Sequence, residues 1–74
     1  METLDSLKKG ERARILDVAG DDAISVRLME MGLIEGEEVQ VLNFAPLGDP
    51  VEYLVRGYRL SLRISEARRV SIQR

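Results

Sequence analysis

The chain has 74 residues, with 11 Lys/Arg, 13 Asp/Glu and no cysteine or histidine. That length suits one domain, residues 1–74, whose small core buries only about 60–65% of the unfolded surface. Without thiols or imidazoles there can be no disulfide, no thiolate metal site and no histidine general base. No basic segment leading into an apolar run opens the chain, and no apolar stretch nears the ~20 residues of a membrane span, so a soluble cytoplasmic protein is expected.

Charge is divided unevenly. Residues 1–55 carry five Lys/Arg against twelve Asp/Glu, and residues 56–74 carry six Arg against one Glu, a balance of −7 against +5. Either both sets are solvated faces that neutralise each other in the fold, or the C-terminal arginines form a basic strip for an acidic partner.

Leu4 and Leu7, three apart, suit a short helical turn before Lys8-Lys9-Gly10. Glu11 to Val18 follows as a strand with Ile15 as its core residue. Leu16 and Val18 point away from Ile15, so this strand is covered on both faces or bends through a bulge. Gly20-Asp21-Asp22 then opens a helix over about residues 22–31, where either Asp can cap free N–H groups and favour the dipole. Ile24, Leu28 and Met31 at i, i+4, i+7 make a core stripe, with Val26 and Met29 opposite. A Gly at position 32 stops the helix. With Met31 as C-cap, Leu33 can pack back on Leu28 in a Schellman motif, and Gly36 suits the turn into the next strand.

Glu38 to Phe44 alternates as a strand. Pro46, Gly48 and Pro50 forbid regular pairing and fix a loop. Val51, Tyr53 and Val55 alternate in a third strand, and Arg56-Gly57 signals a two-residue turn, although arginine is an imperfect first residue and a bulged turn is the alternative. Tyr58, Leu60, Leu62 and Ile64 alternate with Arg59, Ser61 and Arg63, giving one apolar and one basic face. Ser65-Glu66-Ala67 is a helical turn, and Val70 and Ile72 mark a last strand. About five short strands and one helix imply a small, closed or nearly closed antiparallel barrel.

The chemistry is mostly absent. The serines have no histidine to activate them, the glycines are isolated rather than set in a phosphate-cradling loop, and the carboxylates lie at caps, turns and strand faces. No catalytic residue, cofactor site or metal site is assigned. Iron bound by this chain would have oxygen ligands alone, a poor ferrous trap. With three aromatics and no tryptophan, a groove for proline-rich peptides is not expected. The C-terminal arginines leave a small nucleic-acid-binding barrel as the alternative. On the helix, Val26 and Met29 either lie beneath the N-terminal segment, at Leu4 or Leu7, or belong to a protein-binding patch.

Taken together, Leu4-x-x-Leu7-x-x-Gly10, Arg27-Leu28-x-Glu30-Met31-Gly32-Leu33 with Gly36, Pro46-Leu47-Gly48-Asp49-Pro50, and Gly57-x-x-Leu60-x-Leu62-Arg63 with Glu66-Ala67 resemble the FeoA family, small cytoplasmic partners of the bacterial ferrous iron transporter FeoB. The resemblance covers nearly the whole chain. The main departure is Glu35, where the family often has proline. The resemblance implies an SH3-like barrel and an accessory or regulatory role in ferrous iron uptake, exerted by contact with the cytosolic, G-protein-like part of FeoB. A related module also ends iron-dependent repressors, but this chain has no DNA-binding helices. A GTPase-regulating role would need an arginine in trans, for which Arg27, Arg56 and Arg59 are candidates by type. The expected partner-binding set is Val26, Arg27, Met29, Glu30, Arg56 and Arg59. Leu28, Met31, Gly32, Leu33, Gly36, Gly48, Pro50 and Gly57 are expected to serve the fold.

Overall fold

The computed structural model describes residues 2–74. Six antiparallel strands form one sheet: β1 (Glu2–Thr3), β2 (Arg12–Val18), β3 (Glu38–Phe44), β4 (Val51–Val55), β5 (Tyr58–Leu62) and β6 (Val70–Gln73). Their order is β1-β6-β2-β3-β4-β5, which leaves β1 and β5 as its two edges. Helix α1 (Ala23–Glu30) joins β2 to β3, and a one-turn helix α2 (Ile64–Ala67) joins β5 to β6. The six strands agree with the about five expected from the sequence. The added strand, β1, has only two residues, which pair with Ser71 and Ile72, too short to leave an alternation in the sequence. The expected place of Ile64 is corrected. It opens α2 rather than ending β5, because its N–H donates to Asp49 Oδ1 (3.0 Å) instead of to a strand.

Two bulges let the strands curl. β2 pairs with β3 over Arg12–Arg14 and with β6 from Arg14 onward, and Leu16 is the extra residue between the Ile15–Ile72 and Asp17–Ser71 pairs. A bulge shifts the side-chain phase by one residue. Ile15 and Val18, three apart, therefore both point inward and are buried, while Leu16 turns out to solvent. In β3 the register shifts between Val41 and Asn43. The enclosed core gathers Leu4, Leu7, Ile15, Leu28, Leu33, Val39, Val41, Val51, Tyr53, Val55, Leu62, Val70 and their neighbours.

The β4–β5 turn is the two-residue kind. Val55 faces Tyr58, and Arg56 and Gly57 have φ of 55° and 85°. Positive φ at both central residues defines a type I′ turn, whose twist matches the flanking strands.

The end of α1 is built as the glycine spacing suggested. The Leu33 N–H donates to the Leu28 carbonyl (3.2 Å), and the Gly32 N–H donates to the Met29 carbonyl (3.0 Å). These two bonds are the Schellman pair, with Met31 as C-cap. Leu28 and Leu33 are both fully buried, so the cap carries a hydrophobic contact into the core. Gly32 has φ +104°, and a Cβ there would lie 2.5 Å from the Tyr58 hydroxyl oxygen. That hydroxyl donates to the Met31 carbonyl, so β5 clamps the helix C-terminus.

Gly32→Ala should destabilise the fold by about 2–4 kcal/mol, combining left-handed strain with displacement of the tyrosine. In a Tyr58→Phe background, where the oxygen that the Cβ meets is gone, the same change should cost about 1–2 kcal/mol. Urea denaturation of the four proteins measures this coupling.

Candidate functional site

Helix α1 is short and offers few residues to the sheet, so what fixes it also fixes the surface it presents. At its start Asp22 is the N-cap. Its Oδ1 accepts the Ser25 N–H (3.1 Å), and its carbonyl accepts the Ser25 hydroxyl (2.8 Å). With its hydroxyl satisfied locally, Ser25 is fully buried and shares the inward stripe with Leu28. The expected core stripe through Ile24 is therefore corrected. The cap turns the helix toward Ser25, Ile24 stays 39% exposed, and Met31 packs partly against the core.

Long-range ion pairs tie the helix further. Arg69 Nη1 reaches Asp22 Oδ1 at 2.7 Å. The Arg69 hydrogen bond, followed by that of the Ser25 N–H, pulls the Asp22 carboxyl down to about 2. Arg27 pairs with Glu66, whose Oε1 also accepts the Arg63 N–H (2.9 Å) at the start of α2. One carboxylate thus joins α1 to α2.

With this anchoring, the expected partner-binding residues fall into different situations. Val26 and Met29 are 47% and 41% exposed. Leu4 and Leu7 lie in the core and do not cover them, so the reading in which the N-terminal segment hides this face is set aside. Glu30 sits exposed beside them, whereas Arg27 is engaged with Glu66. Arg56 and Arg59 lie away from α1 in sequence, in the β4–β5 turn and on β5, although the Arg56 Cδ comes within 3.4 Å of where a Gly32 Cβ would stand. Among the described residues neither Arg56 nor Arg59 has a carboxylate at ion-pair distance.

Ile34 and Leu16, outside the expected partner-binding set, are also exposed. The Gly36 N–H donates to the Ile15 carbonyl (2.8 Å), which draws the segment after α1 up to the β2 bulge. Leu16 turns away from Ile15 as its place in the strand implies, whereas Val18, expected to point the same way, is turned back to the core by the bulge. Leu47 is 97% exposed at the tip of the 45–50 loop, where the sequence pattern marks only a loop.

Three of the six C-terminal arginines are already neutralised. Arg68 pairs with Asp5 (3.5 Å), Arg69 with Asp22, and Arg74 with Glu2 (3.0 Å) and Glu11 (2.8 Å). The basic strip is thereby broken up, which weighs against a phosphate-tracking surface. Among the described residues no group of three or more Asp or Glu is placed to hold a metal ion. Tyr53, pushed up to about 12 first by burial and then by Asp5 and Asp49, remains a neutral core phenol.

A FeoA domain model matches residues 2–74. The chain belongs to the FeoA family. A FeoA protein from Chlorobium tepidum is 42% identical with a TM-score of 0.89, over 97% of this chain and 69% of that one. Stenotrophomonas maltophilia FeoA is 38% identical with a TM-score of 0.87, over 99% and 91%. The latter was solved with zinc and is described as an SH3 domain protein and a candidate activating factor of ferrous iron transport. A curated relative, the Fe(2+) transport protein A/FeoB fusion protein of Porphyromonas gingivalis, is 36% identical over 70 residues. The match takes in 95% of this chain but only 8% of that protein. The SH3-like barrel expected from the sequence is the fold found. No described helix is long and apolar enough to cross a membrane.

Two outcomes follow for this FeoA chain. Asp22 is depressed below its ordinary value of 3.8, so the stability it adds is complete above that pH and is lost as pH falls toward 2. An Asp22→Asn variant should show a flatter stability–pH curve across that window in acid titrations followed by circular dichroism. Arg56 sits at a left-handed position that asparagine tolerates better, so Arg56→Asn should raise stability by about 0.5–1 kcal/mol in urea melts.

Proposed function

We propose that this chain is a cytoplasmic accessory of ferrous iron uptake, without catalysis or cofactor of its own, that acts by docking on the cytosolic part of a FeoB-type transporter. The observation that carries this reading is the relative in which a FeoA segment 36% identical to this chain is joined to FeoB in one polypeptide. Fusion holds the two at high effective concentration, an arrangement that suits partners acting in contact.

The docking face we favour is the outward side of α1, with Val26 and Met29 at its centre and Glu30 beside them. Exposed apolar side chains on a helix held by a cap, a tyrosine clamp and two ion pairs form a preorganised patch, and methionine adapts to a partner's contour. Arg27 borders the patch while holding Glu66. Of the three arginines of a type to reach a nucleotide site in trans, Arg56 and Arg59 are the two without an ion pair among the described residues.

The test is titration of this protein into the transporter's cytosolic domain, with and without guanine nucleotide, and into membranes holding the full transporter. Saturable binding in at least one state is expected, and failure in all of them would contradict the reading. Met29→Asp should weaken the complex about tenfold or more while changing the stability of the free protein by less than about 1 kcal/mol. A larger loss of stability would show Met29 to be part of the packing.

A further inference from the structure

β5 is an edge strand. Among the described residues it pairs with β4 on one side and with no strand on the other. The type I′ turn fixes which of its backbone groups face which way. In a two-residue hairpin the residues flanking the turn, Val55 and Tyr58, exchange both backbone hydrogen bonds, and such pairs alternate along the ladder. Tyr58, Leu60 and Leu62 therefore spend their amides and carbonyls on β4, while those of Arg59 and Ser61 point out of the sheet. Among the described residues no other element of the chain takes them up. Both residues are exposed, whereas Leu60 and Leu62 are buried.

The charged side chains of β5 and its flanking residues are all arginines, with Glu52 on the neighbouring strand facing Ser61. Arg59 and Ser61 lie on the outer face opposite Leu54 and Glu52. Arg63 follows β5 directly, in an extended conformation as the N-cap of α2, and Arg56 precedes the strand in the turn. Among the described residues, Arg56, Arg59 and Arg63 have no carboxylate at ion-pair distance, although Arg27, Arg68, Arg69 and Arg74 all do. Lys8, Lys9, Arg12 and Arg14, at the start of the chain and on β2, are likewise without an ion pair among the described residues, but Arg56, Arg59 and Arg63 are the three that follow one another along this edge.

We propose that the β5 edge is a binding site for an extended acidic peptide segment, which adds to the sheet as a seventh strand. Its backbone would exchange hydrogen bonds with Arg59 and Ser61, and carboxylates four residues apart on its outer face would meet Arg59 and Arg63, about 13 Å apart along a strand. A second copy of this chain is the poorer occupant, because β5 against β5 would bring arginines together. The proposal extends the docking reading by naming a second contact and its chemistry. It is tested without the transporter, so the two readings fail separately.

The probe is an eight-residue peptide of alternating valine and threonine with two glutamates four residues apart. A control peptide carries lysines in their place. Amide exchange and NMR shifts of the labelled full chain are followed in low salt. Expected are saturable binding of the acidic peptide, an exchange of the Arg59 and Ser61 amides slowed about tenfold at ten times the Kd, and no binding of the lysine peptide. The double variant Arg59→Glu/Arg63→Glu should bind at least about tenfold more weakly. Ser61→Pro removes an outward N–H that β4 does not use, a substitution edge strands tolerate, and should also lose binding. If that variant fails to fold, the charge variant decides alone. The proposal is overturned if the acidic peptide does not bind, if both peptides bind alike, if binding leaves the two amides unprotected, or if they are protected without peptide because the chain pairs with itself.

Discussion

Gly32 can lie under the Tyr58 hydroxyl only because it has no Cβ, and the rest of the molecule depends on that approach. The left-handed turn at this one residue ends α1, sends Leu33 back over Leu28 and brings the Met31 carbonyl to the tyrosine on β5. A helix of eight residues is too short to be stable from its own hydrogen bonds. Here its C-terminus is held by a Schellman pair and a phenol, its N-terminus by Asp22 and Arg69, and its flank by Arg27 and Glu66. Leu28 and Leu33 supply the burial that makes the junction worth holding.

A rigidly held helix with an apolar outward face is a natural contact surface. The inward stripe needs only Ser25, Leu28 and part of Met31. Ile24, Val26 and Met29 therefore remain at the surface without any loss to the core. The same economy applies at the far edge of the sheet. β5 contributes Leu60 and Leu62 to the interior and leaves Arg59 and Ser61 with unused backbone groups. The fold thus separates the residues that stabilise it from those left at the surface, on a helix face and on a strand edge, where the proposed contacts lie.

Much of the architecture could be read directly from the residues. The Gly32–Leu33 stop, the Arg56-Gly57 hairpin and the alternation of β3, β4 and β5 each have a local physical cause and lie where that cause puts them. Periodicity alone puts Ile24 in the core, because it registers hydrophobicity and not a serine whose hydroxyl is satisfied by the carbonyl three residues back. The two-residue β1 is shorter than any period. The pairs Arg27–Glu66, Asp22–Arg69 and Glu2–Arg74 join residues far apart in the chain, and only the fold decides which arginine remains free. The helix residues Val26 and Met29 could be named from the wheel, but their exposure depended on where Leu4 and Leu7 went. The outward amides of β5 depended on its being an edge.

The central claim is that α1 is held by its inward and terminal contacts and meets the transporter with its outward face. Amide shift mapping of the labelled protein, titrated with the cytosolic domain of a FeoB transporter, tests it most directly. The largest changes should fall on Val26, Met29 and Glu30, with Leu28 and Leu33 little moved. Saturable binding that leaves α1 unperturbed would contradict the account.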